Sequence, residues 1–101
     1  MTLSLFILPE AEQDVENIGS YLGERNASAA RRFALAVGQT AEMLCNNPEL
    51  GERLHADTTG QIRYRTISGF KNYLIFYHRV NSVLEIIRIL HGARDYEKLL
   101  Q

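Results

Sequence analysis

Apolar and polar positions change their period along this chain, and each change marks an expected element. Leu3 to Leu8 is a nearly unbroken apolar run of strand length. Pro9 follows, suited to the first position of a helix, where the missing N–H costs nothing. Glu10, Glu12, Asp14 and Glu16 crowd the next turns and complement the positive end of a helix dipole. Ala11, Val15, Ile18 and Leu22 recur at helical spacing and form one face. This helix is expected to stop near Gly23. Asn26 or Ser28 caps a second helix, with its buried stripe expected at Ala30, Phe33, Ala34, Val37, Ala41 and Leu44. Its alanines permit a close helix neighbour. Asn46-Asn47-Pro48 ends it, because the residue before proline is pushed out of the helical region. So short a connection makes the two helices an antiparallel hairpin.

Glu49 to Gly60 shows no clear period and reads as a loop, with a turn of helix around Glu52-Arg53-Leu54 as the alternative. Loops of this length in small domains are usually functional or poorly ordered. Three strands follow. Gln61 to Ile67 alternates, Ser68-Gly69 turns, Tyr73 to Val80 is aromatic and branched, Asn81-Ser82 turns again, and Val83 to His91 closes the set. Gly92 ends the last strand, and 93–101 is a short tail. The expected fold is α+β, in the order β-α-α-β-β-β, with a helix hairpin on one face of a mainly antiparallel four-stranded sheet. The 101 residues fit a single domain.

The last two strands break the alternation of a sheet covered on one side only. Leu84, Ile86 and Leu90 are expected on one face and Ile87 and Ile89 on the other; Tyr73, Ile75 and Tyr77 alternate with Leu74 and Phe76. Either the tail and the long loop close the second face, or a partner fills it, since large apolar patches are rarely left bare.

Composition changes the picture in one respect. Hydrophobic residues make up 46% and charged residues 23%, as in ordinary globular proteins. The net charge of −1 argues against a nucleic-acid-coating protein, so no direct DNA binding is expected. That charge is unevenly spread. Residues 1–57 carry nine acids against four arginines, a net −5; residues 58–101 carry seven bases against three acids, a net +4. Two surfaces with different partners are expected. The lone Cys45 excludes an intramolecular disulfide and reads as a small buried residue. His55, His78 and His91 are scattered without metal-ligand spacing, and no glycine-rich phosphate loop occurs, so no metal or cofactor is expected. No signal peptide is read at the N-terminus, and no apolar stretch approaches the ~20 residues of a membrane span. A cytoplasmic location away from membranes is the expectation.

Four segments together resemble the ParE toxins of bacterial type II toxin–antitoxin systems, within the ParE/RelE superfamily. The first is Pro9, Ala11, Asp14, Val15, Ile18 and Tyr21. The second is Ala30 and Phe33, then Leu44, Pro48 and Gly51. The third is Arg63 with Tyr73-Leu74-Ile75-Phe76-Tyr77. The fourth is Ile86, Ile89 and His91-Gly92-Ala93-Arg94-Asp95. They span nearly the whole chain. The resemblance implies a toxin that inhibits DNA gyrase by protein–protein binding and is neutralised, in a hetero-oligomer, by a ParD-like antitoxin. RelE-like relatives share the fold but cut mRNA on the ribosome, which is the alternative function.

The candidate residues divide along the same line. Ribonuclease chemistry needs a base, an acid and cations at the scissile phosphate, for which His91, Arg94, Arg65 and Tyr96 are the candidates, with Arg63 nearby. A lone His at a strand end also serves as a structural hydrogen-bonder. The net charge is low for ribosome binding, and the ending HGARDYEKLL departs from the Lys-rich or His-Tyr endings of the RelE branch. No catalytic residue is therefore expected in the binding toxin. The expected contact set for target or antitoxin is Arg63, Arg65, Tyr73, Tyr77, Arg88, His91, Arg94 and Asp95. Arg63 and Arg65 share a strand face as a cationic strip or a solvated edge. Tyr73 and Tyr77 share another face and fit either core packing or contact. Arg94-Asp95 is either a pair that pins the tail or a rim contact. Arg31 and Arg32 read as the solvated side of the second helix.

Overall fold

A computed structural model describes residues 2–92 and Asp95. The elements are β1 (Ser4–Ile7), α1 (Pro9–Arg25), α2 (Ala29–Asn46), β2 (Glu52–Arg53), β3 (Arg63–Ile67), β4 (Phe70–Val80) and β5 (Val83–His91). They form one sheet in the order β1-β5-β4-β3-β2, with β1 parallel to β5 and the remaining pairs antiparallel. The helix hairpin covers one face. This is the expected α+β architecture with one correction: the sheet has five strands. The segment Glu52–Arg53, read as loop or helical turn, pairs with Tyr64 and Arg63 as β2. Two residues are too few to show a period, so the pattern could not reveal them.

The helices pack as closely as the small residues allow. Pro9 occupies the first turn of α1, and the helix runs on to Arg25 rather than stopping near Gly23. Gly23 and Gly19 lie inside the helix, where a Cβ would sit 3.6 and 3.7 Å from the Cβ of Ala30. They are the points where α2 approaches. Between the helices, the Asn26 side-chain oxygen accepts from the Ser28 N–H at 3.1 Å and from its hydroxyl at 3.0 Å. Asn26 therefore shapes the turn, while Ser28 stands at the N-cap without a side-chain cap bond. The buried stripe of α2 is Phe33, Ala36, Val37, Thr40, Ala41, Leu44 and Cys45, rotated from the expected one. Ala34 faces outward and Ala30 faces α1.

Phe33 centres the main core, its ring edge-on to Phe70 at 5.1 Å and to Tyr73 at 5.4 Å. Ile67, Ile75, Tyr77, Leu84, Ile86 and Ile89 complete the sheet side of that core. A smaller cluster of Leu54, Phe76 and Leu90 occupies the opposite face, with Ile62, Tyr64 and Leu74 against it. The long loop thus folds Leu54 over the second face, as expected of it; the tail, expected to share in that closure, lies outside the described residues apart from Asp95. The face assignment on β5 needs correction. Tyr77 pairs with Ile86 but Phe76 pairs with Arg88, so Ile87 is an extra residue in a bulge. The bulge resets the alternation: Ile89 joins Ile86 in the main core, and Leu90 crosses to the second face.

Both two-residue turns are as expected. Val80 pairs with Val83 across Asn81-Ser82, with Asn81 at φ 55, a left-handed conformation that asparagine tolerates. Ile67 pairs with Phe70 across Ser68-Gly69, so β4 begins three residues earlier than Tyr73. Cys45 is buried. Burial pushes its thiol pKa up, and Glu42 adds to the shift.

Candidate functional site

The expected contact residues separate once placed on the sheet. Tyr73 and Tyr77 do share a face, but it is the inner one, and they are 7% and 1% exposed. This corrects their assignment to a contact surface: both rings are core. The Tyr73 ring meets the His91 ring edge-on at 5.2 Å. The Tyr77 hydroxyl donates to the Pro48 carbonyl at 2.7 Å and accepts from the Gly51 N–H at 2.8 Å. Burial pushes the Tyr77 phenol above its usual pKa, against the opposing effects of the Gly51 bond and of Arg63 and Arg65. Its role is to hold the start of the long loop against the sheet.

Arg63 and Arg65 share a face, as residues two apart on a strand must, and both turn onto that same loop. Arg63 donates to the Gly51 carbonyl at 2.8 Å, and Arg65 to the Leu50 carbonyl at 3.1 Å. Each remains half-buried. Pro48, Glu49, Gln61, Arg63, Tyr77, His78 and Arg79 line a depression of about 180 Å³ beside them. His78 in its wall is 2.7 Å from Glu85 across the strand pair. The far end of the loop is organised by Asp57. Its carboxylate accepts from the N–H groups of Thr59, Gln61 and Ile62 and from the Thr59 hydroxyl. These bonds, that from Ile62 foremost, lower its pKa to about 2.

Arg88 is held by a partner that the sequence pattern did not reveal. Its Nε and Nη2 donate to the two carboxylate oxygens of Asp14 at 2.7 and 2.9 Å, and the Ile89 N–H donates to the same carboxylate at 2.9 Å. The Asp14 bond is the main cause of the raised Arg88 pKa; Glu10 and Asp95 add to it. The acidic first turns of α1 were read as complementing the helix dipole. Asp14 instead lies on the buried side, three residues after Ala11, and that position in the apolar stripe was the available signal.

His91 ends β5 half-buried, and the Asp95 N–H donates to its carbonyl at 2.9 Å. Arg94 and Tyr96 lie outside the described residues, and with them the expected Arg94-Asp95 pairing. The sheet does not bring His91 and the arginines together. His91 pairs with Tyr73, whereas Arg65 and Arg63 pair with Ile75 and Tyr77 on the far side of β4. Strand spacing and rise put Arg65 on the order of 11 Å from His91 between Cα atoms. Among the described residues, no group of three His, Cys, Asp or Glu side chains is placed to hold a metal. None of the described helices is long and apolar enough to cross a membrane.

A different surface, on the helix hairpin, is concave. Two adjoining depressions of about 530 and 310 Å³ run along the outside of the helix hairpin. Val15, Gly19, Ala30, Ala34 and Val37 floor them, and Glu12 and Glu16 stand on their rim. The glycines and alanines that let the helices approach also leave this groove shallow and apolar. Leu35, 58% exposed, projects from the adjoining face of α2.

Comparison with known proteins agrees with this architecture. The family model described as ParE toxin of type II toxin-antitoxin system, parDE, matches residues 5–96. The chain belongs to the RelE/ParE superfamily of type II toxins. Toxin RelE2 of Caulobacter vibrioides is 33% identical over 81 residues, covering 80% of this chain and 85% of that relative. The protein is thus the toxin component of a type II toxin–antitoxin system, and a cognate antitoxin is its implied partner.

Proposed function

We propose that this toxin is of the ParE type and acts by binding DNA gyrase, with no covalent chemistry of its own, and that a ParD-like antitoxin neutralises it. The observation that supports the binding reading is the dispersal, among the described residues, of His91, Arg63 and Arg65, three of the groups cleavage would need; Arg94 and Tyr96 lie outside those residues. RNA cleavage requires a base, an acid and cations converging within hydrogen-bond reach of one phosphate. Here Arg63 and Arg65 are turned onto loop carbonyls, two strands away from His91. The match to the ParE toxin model over residues 5–96 supports the same branch. The antitoxin fits the groove of the helix hairpin, which offers apolar area with an acidic rim. A helix with one apolar face and basic flanks is its natural occupant. The target contact is assigned to the basic end of the chain, with Arg94 as its foremost residue.

The ribosome-dependent endoribonuclease is the second reading, favoured by the likeness to the relative named Toxin RelE2. Induction of the toxin without an antitoxin separates the two. The gyrase reading expects DNA synthesis to stop while mRNA stays intact. Codon-phased mRNA ends, with translation failing first, would overturn it.

A further inference from the structure

β1 is an outer strand of the sheet, and half of its backbone is spoken for. Ser4 and Leu8 donate their N–H groups to Ser82 and Ile86 at 2.9 and 3.0 Å, so the even-numbered residues face β5. By alternation, Leu3, Leu5 and Ile7 turn their backbone groups outward. The outward N–H of Leu3 is taken by the Cys45 carbonyl at 3.0 Å. Among the described residues, no hydrogen bond reaches the outward groups of Leu5 or Ile7. Natural sheets blunt such edges with lysine, proline or a bulge. Positions 2–8 carry no charge and no proline, and Leu5 and Phe6 are 42% and 50% exposed.

We propose that β1 pairs antiparallel with β1 of a second copy, about a two-fold axis passing through Phe6. Three centres are conceivable, and the backbone permits one. Centring on Leu5 sets Ile7 against Leu3, whose N–H is already spent on Cys45. Centring on Ile7 sets Leu5 against Pro9, which has no N–H. Centring on Phe6 sets Leu5 against the partner's Ile7 in both directions, and each pair exchanges both of its backbone bonds. Phe6 then meets the partner's Phe6 as a non-hydrogen-bonded pair, with Cα atoms ~4.5 Å apart. A strand docked on itself places like side chains near like, so a charge on it would repel its own copy. The absence of charge along 2–8 is what self-pairing requires, and it selects a second copy over a charged partner segment. The sheet becomes continuous across two chains, through an interface at the small end of the known range.

Cysteine placement tests the register in the full-length purified toxin, where Cys45 is buried. Phe6→Cys falls within disulfide reach of its copy, which is ~4.4–6.8 Å between Cα atoms, and is expected to give a covalent dimer on mild oxidation. Ser4→Cys lies ~13 Å from its copy in this register and is expected to stay unlinked. Phe6→Lys places like charges together; it should sediment as monomer where the parent chain sediments as dimer, with unchanged circular dichroism. The proposal is overturned if the parent chain is monomeric at ~100 µM, a hundredfold above the Kd of a −8.2 kcal/mol association. It is equally overturned if Ser4→Cys links as readily as Phe6→Cys, or if the amides of Leu5 and Ile7 gain exchange protection only when antitoxin is added.

Discussion

Asp14 and Arg88, 74 residues apart, form a bidentate ion pair at 2.7 and 2.9 Å, and the same carboxylate accepts the Ile89 N–H. The position explains the need. β1 ends at Ile7, the Leu8 N–H after it makes the last bond, to the Ile86 carbonyl, and in the second turn of α1 the Asp14 side chain takes up the backbone of β5 just beyond that point. The pair therefore fastens the helix hairpin to the sheet where the parallel strand runs out. Arg88 acts here as a clamp within the chain.

Replacing Asp14 by Ala leaves the Ile89 N–H and the Arg88 guanidinium without that acceptor. Hydrogen bonds to a charged group contribute about 1.5–3 kcal/mol, and the Asp14 side chain is 11% exposed, so little solvent screening softens the loss. Thermal unfolding should drop by on the order of 10 °C. Asp14→Asn, which keeps an acceptor for Ile89, should fall in between. Arg88→Lys cannot restore the planar fork. A double-mutant cycle showing no coupling between positions 14 and 88 would contradict the clamp.

Tyr77 carries the loop on its hydroxyl. Tyr77→Phe leaves the buried Gly51 N–H unpaired, a loss of roughly 1–3 kcal/mol. Gly51→Ala is expected to be as harmful, because its Cβ would collide with the Tyr77 ring and hydroxyl and lie 2.9 Å from the Tyr64 carbonyl. The pH response has a definite sign. Burial favours the neutral phenol and raises its pKa in the fold above 10.0. The stabilisation is therefore complete below pH 10.0 and is lost as pH rises through the folded value. Denaturant unfolding from pH 8 to 11 should show this alkaline loss in the parent chain and a weaker one in Tyr77→Phe.

Asp57 gives the opposite response. Its pKa falls from 3.8 to about 2 because the Ile62 N–H, the Thr59 hydroxyl and the neighbouring amides bind the carboxylate. The turn over 57–62 should be intact above pH 3.8 and loosen as pH falls toward 2. Carboxyl titration by NMR checks the midpoint. Faster amide exchange at Gln61 and Ile62 in Asp57→Ala checks the cause.

The groove makes a separable prediction. Ala34 is exposed, so Ala34→Arg should change stability by no more than ~0.5 kcal/mol. The long cationic side chain would nevertheless occupy the groove floor. Antitoxin affinity should fall tenfold or more, and co-expression should no longer protect cells. Unchanged affinity, measured by calorimetry, would move the antitoxin off the hairpin.

These residues also show how far the sequence could be read. Elements longer than about five residues announced themselves through period: Ala11, Val15 and Ile18 marked α1, and the branched run from Val83 marked β5. β2, two residues long, spans one strand period and cannot repeat it. The bulge at Ile87 is a matter of register between two strands, and a single strand's pattern does not contain it; Leu90 was therefore placed on the wrong face. The polar connections were the least legible. Asp14 lies among acids that all suit a helix start; its place three residues after Ala11 in the apolar stripe sets it apart from Glu12 and Glu16, but its partner Arg88 emerges only from the packing of α1 on β5. Arg63 and Arg65 were recognisable as a cationic pair, but not as the holders of the loop carbonyls at 50 and 51. Tyr73 and Tyr77 looked equally suited to core and surface until the helices were laid on their face.

Inhibition of gyrase by binding alone, as proposed for this toxin, can be decided with purified components. Its most direct test is a supercoiling assay with purified gyrase and graded amounts of the full-length toxin. Inhibition is expected to saturate near equimolar toxin, to survive His91→Ala, to weaken with Arg94→Ala, and to be reversed by antitoxin. Supercoiling that proceeds unaltered at a large toxin excess, with the same preparation cutting mRNA on ribosomes, would contradict it.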